Sequence, residues 1–309
     1  MPESSGHGPD RPGRPTGDGP PPGAAPPPPP APQPPSSRPT RRALLRYFGG
    51  KTSLAPWIVS HLPPHRCYTE AYGGGAAVLL QKPRSPIEVY NDLDSAVVGL
   101  FRVLRDPAAA ARLVDLVALT PYSRQEFLAA YEPADDPVEA ARRLLVRSHM
   151  GHGGEAACGR KTGFRRLSHR RHLRGTHPAL DWARFPQPLA HFADRLRAVV
   201  VEHADAAEVL SRYDSADTVH YLDPPYPKAS RRTPCDHLYA HDLDDADHVA
   251  LADLLHTLRG PVLISGYASP LYDRLYAGWH RLEQSAIANG GGKRREILWL
   301  SRRPDDLFS

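Results

Sequence analysis

Asp223, Pro224, Pro225 and Tyr226 follow directly on an apolar run made of Val219, Tyr221 and Leu222. Two successive prolines bar a strand from continuing and fix the backbone beside the acid. A carboxylate next to a rigid carbonyl suits work on an amine attached to an aromatic ring. Such an amine is a poor nucleophile toward a methyl sulfonium, because its lone pair is delocalised. Asp223 and the Pro224 carbonyl, each accepting one of its N–H bonds, would draw the nitrogen toward tetrahedral geometry, while Tyr226 stacks on the ring. Acceptors fixed in advance stabilise charge that develops in the transition state. The plainer alternative is a proline-ended strand whose acid caps a turn.

Three upstream stretches could hold a partner for that chemistry. In "RYFGGKTS" (46–53) the Gly-Lys-Thr run resembles a phosphate-binding loop, but the fingerprint requires a glycine where Leu45 stands. What remains is a tight glycine turn presenting Tyr47 and Lys51. In "EAYGGGAA" (70–77), Glu70, Tyr72, Gly73 and Gly75 lie where a strand turns over, and glycines there let a ligand approach the backbone. Val78 occupies the place of the third glycine of the dinucleotide pattern. Asp92, at the end of the next strand, stands where acids accept hydrogen bonds from ribose hydroxyls. Together these features favour an adenosine-containing ligand, either a nicotinamide cofactor or S-adenosyl-L-methionine.

The elements that must position these residues alternate. The pattern predicts a strand, glycine turn and helix over 66–80, then a strand ending at Asn91-Asp92 and an amphipathic helix to residue 106. Alternation lapses over 107–177, where a helical piece near Glu139 to Ser148 precedes a glycine-rich basic stretch. It resumes with a strand at Val199 to Glu202, a helix opening after Asp205, and the strand that ends at Asp223. A punctuated helix follows in "DLDDADHVALADLLHTLRG", then the strand "PVLISGY", a short helix and an antiparallel hairpin over 281–301. The expected fold is α/β: a doubly wound, mainly parallel sheet with an antiparallel edge hairpin. Ligands of such sheets bind beyond the carboxyl ends of the strands. Asp92, Asp205, Asp223 and the glycine turn all fall there.

Composition narrows the classes. Residues 1–40 hold 16 of the 35 prolines in the 309-residue chain, with almost no large apolar side chain, which predicts a disordered, partly polyproline II tail. Three widely spaced cysteines argue for a reducing cytoplasm and against a disulfide framework or structural zinc. No run approaches the roughly 20 apolar residues of a membrane-spanning helix. His149 and His152 have a spacing that could serve a metal, but without a matching ligand set they are expected to be basic-surface histidines. The net charge is +5, yet Arg142 to His177 carries ten Lys or Arg against one acid, Glu155. A stripe so unbalanced suits a phosphate backbone or, equally, a solvated basic face.

With "YFGGK", "EAYGGGAAV", "VYNDLD", "YLDPPY", "ISGY" and "REILWLS" in this order, residues 44–303 resemble the Dam-like adenine-specific DNA methyltransferases, especially their phage-type members. The resemblance implies a Rossmann-like methyltransferase sheet, S-adenosyl-L-methionine as methyl donor and no metal. It implies a catalytic domain over 41–106 and 178–309, with a mainly helical target-recognition insert over 107–177 that contacts double-stranded DNA. By position, Tyr47 and Lys51, Glu70, Tyr72, Gly73 and Gly75, Asp92, Asp205 and Asp223 match the donor site. Asp223 to Tyr226 match the catalytic motif. Tyr47 stands where relatives often carry Trp, and Tyr72 where many have Phe. In the insert, Arg160, Lys161, Arg165, Arg166, Arg170, Arg171 and Arg174 become candidates for phosphate and base-edge contacts. A base buried in a duplex cannot reach Asp223, so the target would be flipped out.

The expected activity is methyl transfer to the N6 amine of adenine in DNA, by a cytoplasmic enzyme; whether it serves restriction-modification beside a nuclease or acts alone on phage or host DNA is not legible. Cytosine N4 methylation is the alternative of the same geometry, though relatives of that kind carry Ser for the acid. A nucleic-acid-binding relative without catalysis would not need the intact Asp-Pro-Pro-Tyr. A nicotinamide-dependent oxidoreductase would need the complete glycine fingerprint. Protein partners are not legible.

Overall fold

The computed structural model describes residues 43–302, apart from Phe48, Glu155, Cys158 and the stretches 167–176, 232–240 and 288–292. Arg170, Arg171 and Arg174 therefore lie outside the described residues, as does the proline-rich segment. Four short parallel strands bring the core together: β1 (Cys67–Glu70), β2 (Ile87–Asn91), β3 (Val199–Glu202) and β4 (Thr218–Leu222). A fifth, β5 (Val262–Gly266), runs parallel beside β4, and the hairpin β6 (His280–Ile287) and β7 (Lys293–Leu300) closes that edge. The strand order is β3-β2-β1-β4-β5-β7-β6, with β7 antiparallel to both of its neighbours. This is the Rossmann-like sheet with an antiparallel edge hairpin that the alternation predicts.

Period-two burial shows how the sheet is sandwiched. Val219 and Tyr221 of β4, Leu263 of β5 and Leu298 of β7 enter one core, while Leu222, Ile264, Ile297 and Trp299 enter another on the opposite face. The second core is closed by α8 (Ala206–Tyr213), α9 (Asp245–Thr257) and α10 (Pro270–Leu275). The first is larger. It takes α1 (Ala55–Val59) and α2 (Ser95–Arg105), whose Val97, Leu100, Phe101 and Leu104 form one buried stripe, and stacks Phe101 on Tyr90 at 4.2 Å. Asp94 caps α2 by accepting from the Ala96 amide, an arrangement worth about 1 kcal/mol.

Residues 107–177 contain more helix than periodicity alone predicts. α3 (Pro107–Leu119), α4 (Arg124–Ala129) and α5 (Pro137–Met150) each begin at a side-chain cap: Asp106, Ser123 and Asp136. Leu113, Val117, Phe127 and Leu144 share the first core with Tyr90 and with Leu196 of α7 (Pro186–Leu196), which follows the short α6 (Pro178–Ala183). The described residues of the segment are thus packed into the main body.

Two expectations are corrected. The helix expected after the glycine turn does not form. Ala76 adopts φ 51°, the Leu79 amide turns to the Glu70 carboxylate, and Pro83 stops the chain shortly afterwards, leaving successive turns over 77–81. His149 is not a surface histidine. Its ring sits 4.1 Å from Phe185 and its Nε2 meets the Leu44 carbonyl at 3.0 Å. Desolvation pushes its pKa down to about 4, while His152 is exposed. No helix among the described residues is long and apolar enough to cross a membrane.

Candidate active site

The crossover connections leave β1 and β4 in opposite senses, so their carboxyl ends open a crevice. A cleft lies there, part of it open to solvent. Its floor is the glycine turn. Gly73 has no alternative, because a Cβ there would stand 2.1 Å from the Tyr90 ring. Gly74 adopts φ +46°, in the left-handed region. Tyr90 donates to the Gly74 carbonyl at 2.8 Å, and the Gly74 amide donates to Asp92 at 2.6 Å. Asp92 also accepts from the Asp94 amide at 2.8 Å, and burial raises its pKa above the usual carboxylate range.

Tyr47, Lys51, Glu70, Tyr72, Gly73, Gly75, Asp92, Asp205 and Asp223 all line this one cleft. Asp205 is exposed at the rim and caps α8 through the Ala207 amide. Tyr72, beside it, has its pKa raised by burial and then by Asp205. Glu70 is 2% exposed and accepts from the Tyr68 hydroxyl and the Leu79 amide, both at 2.8 Å. Desolvation raises its pKa to about 8. It lies against the cleft as a largely neutral acid, with one oxygen already engaged by protein.

Asp223 sits at the carboxyl end of β4. Ser265 of β5 donates to its Oδ1 at 2.9 Å, and the Lys51 Nζ lies 2.8 Å from each carboxylate oxygen. Lys51, expected on the donor side, is also an ion-pair partner of Asp223. Pro224 and Pro225 are buried and Pro225 lines the cleft. Tyr226 is 6% exposed; its hydroxyl donates to Glu296 and its ring meets Tyr267 edge-on at 4.8 Å. The loop is braced from behind, where Arg231 donates to the Tyr226 carbonyl at 2.7 Å and pairs with Asp242.

Several residues escaped sequence reasoning. Asn91 of β2 donates to the Ala71 and Ala204 carbonyls and accepts from the Ala204 amide, tying three strand ends together. His241 and Leu243 line the cleft from a loop that carries no motif. Ser265 and Glu296 lay inside the quoted "ISGY" and "REILWLS", and their buried polarity within apolar strands was the available signal. Among the described residues no group of three or more His, Cys, Asp or Glu is placed to hold a metal ion.

The basic candidates separate. Arg160, Lys161 and Arg166 are exposed. Arg165 is turned inward, its side chain 13% exposed and 3.9 Å from Asp181. The Tyr122 hydroxyl donates to its carbonyl at 2.5 Å.

Residues 47–289 match the family model of the D12 class N6 adenine-specific DNA methyltransferases. A relative in Escherichia coli (strain K12), a DNA adenine methylase, is 26% identical over 279 residues, covering 84% of this chain and 95% of that protein. The DNA adenine methylase of Salmonella typhi is 25% identical over 273 residues, covering 83% and 92%. That of Vibrio cholerae serotype O1 is 26% identical over 280 residues, covering 84% and 96%. A solved rRNA methyltransferase from Streptomyces viridochromogenes is similar at a TM-score of 0.34 and 14% identity, over 82% of this chain and 85% of that one, too remote to bear on substrate.

Proposed function

Because the chain belongs to the D12 class of N6 adenine-specific DNA methyltransferases, we propose that its cleft holds S-adenosyl-L-methionine and that Asp223 to Tyr226 hold the adenine amine. The protein is an enzyme that methylates N6 of adenine in DNA. One observation carries the assignment of roles. Asp223, fixed by Ser265 and Lys51, shares a single cleft with the glycine turn and Asp92.

The residues fit the donor. Gly73, Gly74 and Gly75 line the cleft with bare backbone, against which a ligand can lie. Asp92 is pinned by two amides so that its remaining lone pairs face the cleft, as a ribose diol requires. Tyr47 and Tyr72 supply apolar walls, and Asp205 stands at the rim for an adenine amine. When bound, the donor supplies a methyl group on a sulfonium. Asp223 and the Pro224 carbonyl accept the two N–H bonds of the target amine, so its lone pair is released from the ring and aimed into the cleft. As the new C–N bond replaces the methyl–sulfur bond, leaving the donor as a neutral thioether, an Asp223 oxygen would take the proton shed by the amine. Ser265 and Lys51 keep that carboxylate oriented throughout. The adenine reaches this recess only outside the base stack.

Residues 107–177 supply the DNA contact in this reading. Its support is the exposed trio Arg160, Lys161 and Arg166, on a segment anchored to the catalytic body. The deciding experiment incubates the protein with tritiated S-adenosyl-L-methionine and mixed-sequence DNA, then identifies the labelled base. N6-methyladenine is expected, with Asp223→Ala reduced by about 10²-fold or more. Absence of label, or Asp223→Ala equal to the parent, overturns the proposal.

A further inference from the structure

Glu296 is 3% exposed on β7, at the start of the apolar run Ile297 to Leu300, and it does not line the cleft. A carboxylate in such a place is costly unless it is engaged. Its engagements both lead to the catalytic motif. It accepts from the Tyr226 hydroxyl, and its Oε1 lies 3.4 Å from the Lys51 Nζ. The same ammonium is 2.8 Å from the Gly49 carbonyl and from Asp223, and 4.9 Å over the Tyr226 ring. One buried cation is therefore shared by two carboxylates, and Tyr226 is joined to both the cation and Glu296.

We infer that Glu296 is a positioning residue for methyl transfer, acting as second counter-ion to Lys51 and anchor of Tyr226. The inference rests on the methyl-transfer reading above. With Asp223 as its only partner, Lys51 would compete with the target amine for the very oxygens that must receive it. Releasing it would leave a buried charge unpaired, which is strongly destabilising. Glu296 removes that conflict, because Lys51 can lean toward it as the amine arrives while Tyr226 stays in place. Burial raises the pKa of Glu296 and Lys51 lowers it, as a shared counter-ion requires.

Glu296→Gln tests this, since it keeps the shape and an acceptor for Tyr226 but discards the charge. Turnover should fall about tenfold or more, while the dissociation constant for S-adenosyl-L-methionine by calorimetry and the KM for DNA change less than about threefold. In a Lys51→Met background the same substitution should cost nothing further, because its effect runs through Lys51. Parental turnover in Glu296→Gln, a loss confined to donor affinity, or a full additional loss in the Lys51→Met background would overturn the inference. If the single variant fails to fold, the pair Lys51→Met/Glu296→Gln, lacking both buried charges, carries the test. Turnover equal to Lys51→Met supports the inference and lower turnover overturns it. Labelling of adenine by the parent and its loss in Asp223→Ala are measured alongside. Failure there removes the methyl-transfer reading, whereas parental behaviour of Glu296→Gln alone removes only this inference.

Discussion

Gly73 and Gly75 look alike in the sequence, and side-chain space separates them. A Cβ at Gly73 would stand 2.1 Å from Tyr90, inside the core, whereas at Gly75 its nearest neighbour is the Leu45 carbonyl at 3.4 Å. Gly73→Ala should cost about 1–3 kcal/mol and sharply weaken donor binding, since Tyr90 must move and it holds the Gly74 carbonyl. Gly75→Ala should do little to either. Thermal unfolding and calorimetry of the two variants check this, and equal behaviour would refute it. Glu70 invites a pH test. Its folded pKa of about 8 stands above the 4.5 of an ordinary glutamate. Between those values the folded protein keeps a proton that the unfolded chain releases, so stability falls as pH rises through the window and levels off above it. Glu70→Gln keeps the neutral form and abolishes that dependence. Its Tm should exceed the parent's at pH 8.5 by more than at pH 5, and a gap independent of pH would contradict the assignment. Asp223 was legible because a carboxylate before two prolines has few other uses. Its bond to Lys51 was not, for that partner lies 172 positions away and only the fold joins them.

At the scale of elements, every strand could be read, because buried parallel strands are short apolar runs bounded by turn residues. The helix after the glycine turn was misread for a local reason. "AAVLL" has helix-forming composition, but Ala76 in the left-handed region and the pull of Glu70 on the Leu79 amide divert the chain. The insert's helices were under-read because α3 and α4 are recognised by their caps rather than by a long periodic face. No element pattern shows that one amide ties three strand ends. Asn91 holds the loops carrying Tyr72 and Asp205 by three hydrogen bonds of 2.9–3.0 Å. Asn91→Ala leaves those backbone groups unpaired, at about 1–3 kcal/mol for each one that water cannot reach. Both Tm and donor affinity should fall, although the side-chain amide is engaged by backbone groups. Asn91→Asp keeps the acceptor and should recover part of the loss. A variant with parental donor affinity would show that the loops hold themselves.

Across the whole molecule, counting charges overstated the basic stripe. Arg142 is bound to Glu139 and Glu126, Arg143 to Glu139 and two carbonyls, and Arg147 to the Ala130 carbonyl over the Tyr131 ring. The neutralising acids lie just before the counted window, and the pairing holds the Glu139 pKa down to about 2. These arginines bind the helices of the insert to one another. In the proposed reading, phosphate contact then falls to exposed cations farther along. Each contact contributes about 0.9 to the slope of log affinity against log salt. Lys161→Ala/Arg166→Ala should therefore lower the slope by up to about 1.8 while leaving Tm near the parent's. Arg165→Ala should do the reverse, because its side chain is largely buried near Asp181 and its loss loosens the packing around Tyr122 without freeing counterions. Fluorescence anisotropy over a salt series, with thermal unfolding of the same samples, separates the two. A slope unchanged in the double variant would take this face out of the DNA interface. A slope lowered equally by Arg165→Ala would mean that the guanidinium leaves Asp181 when DNA binds.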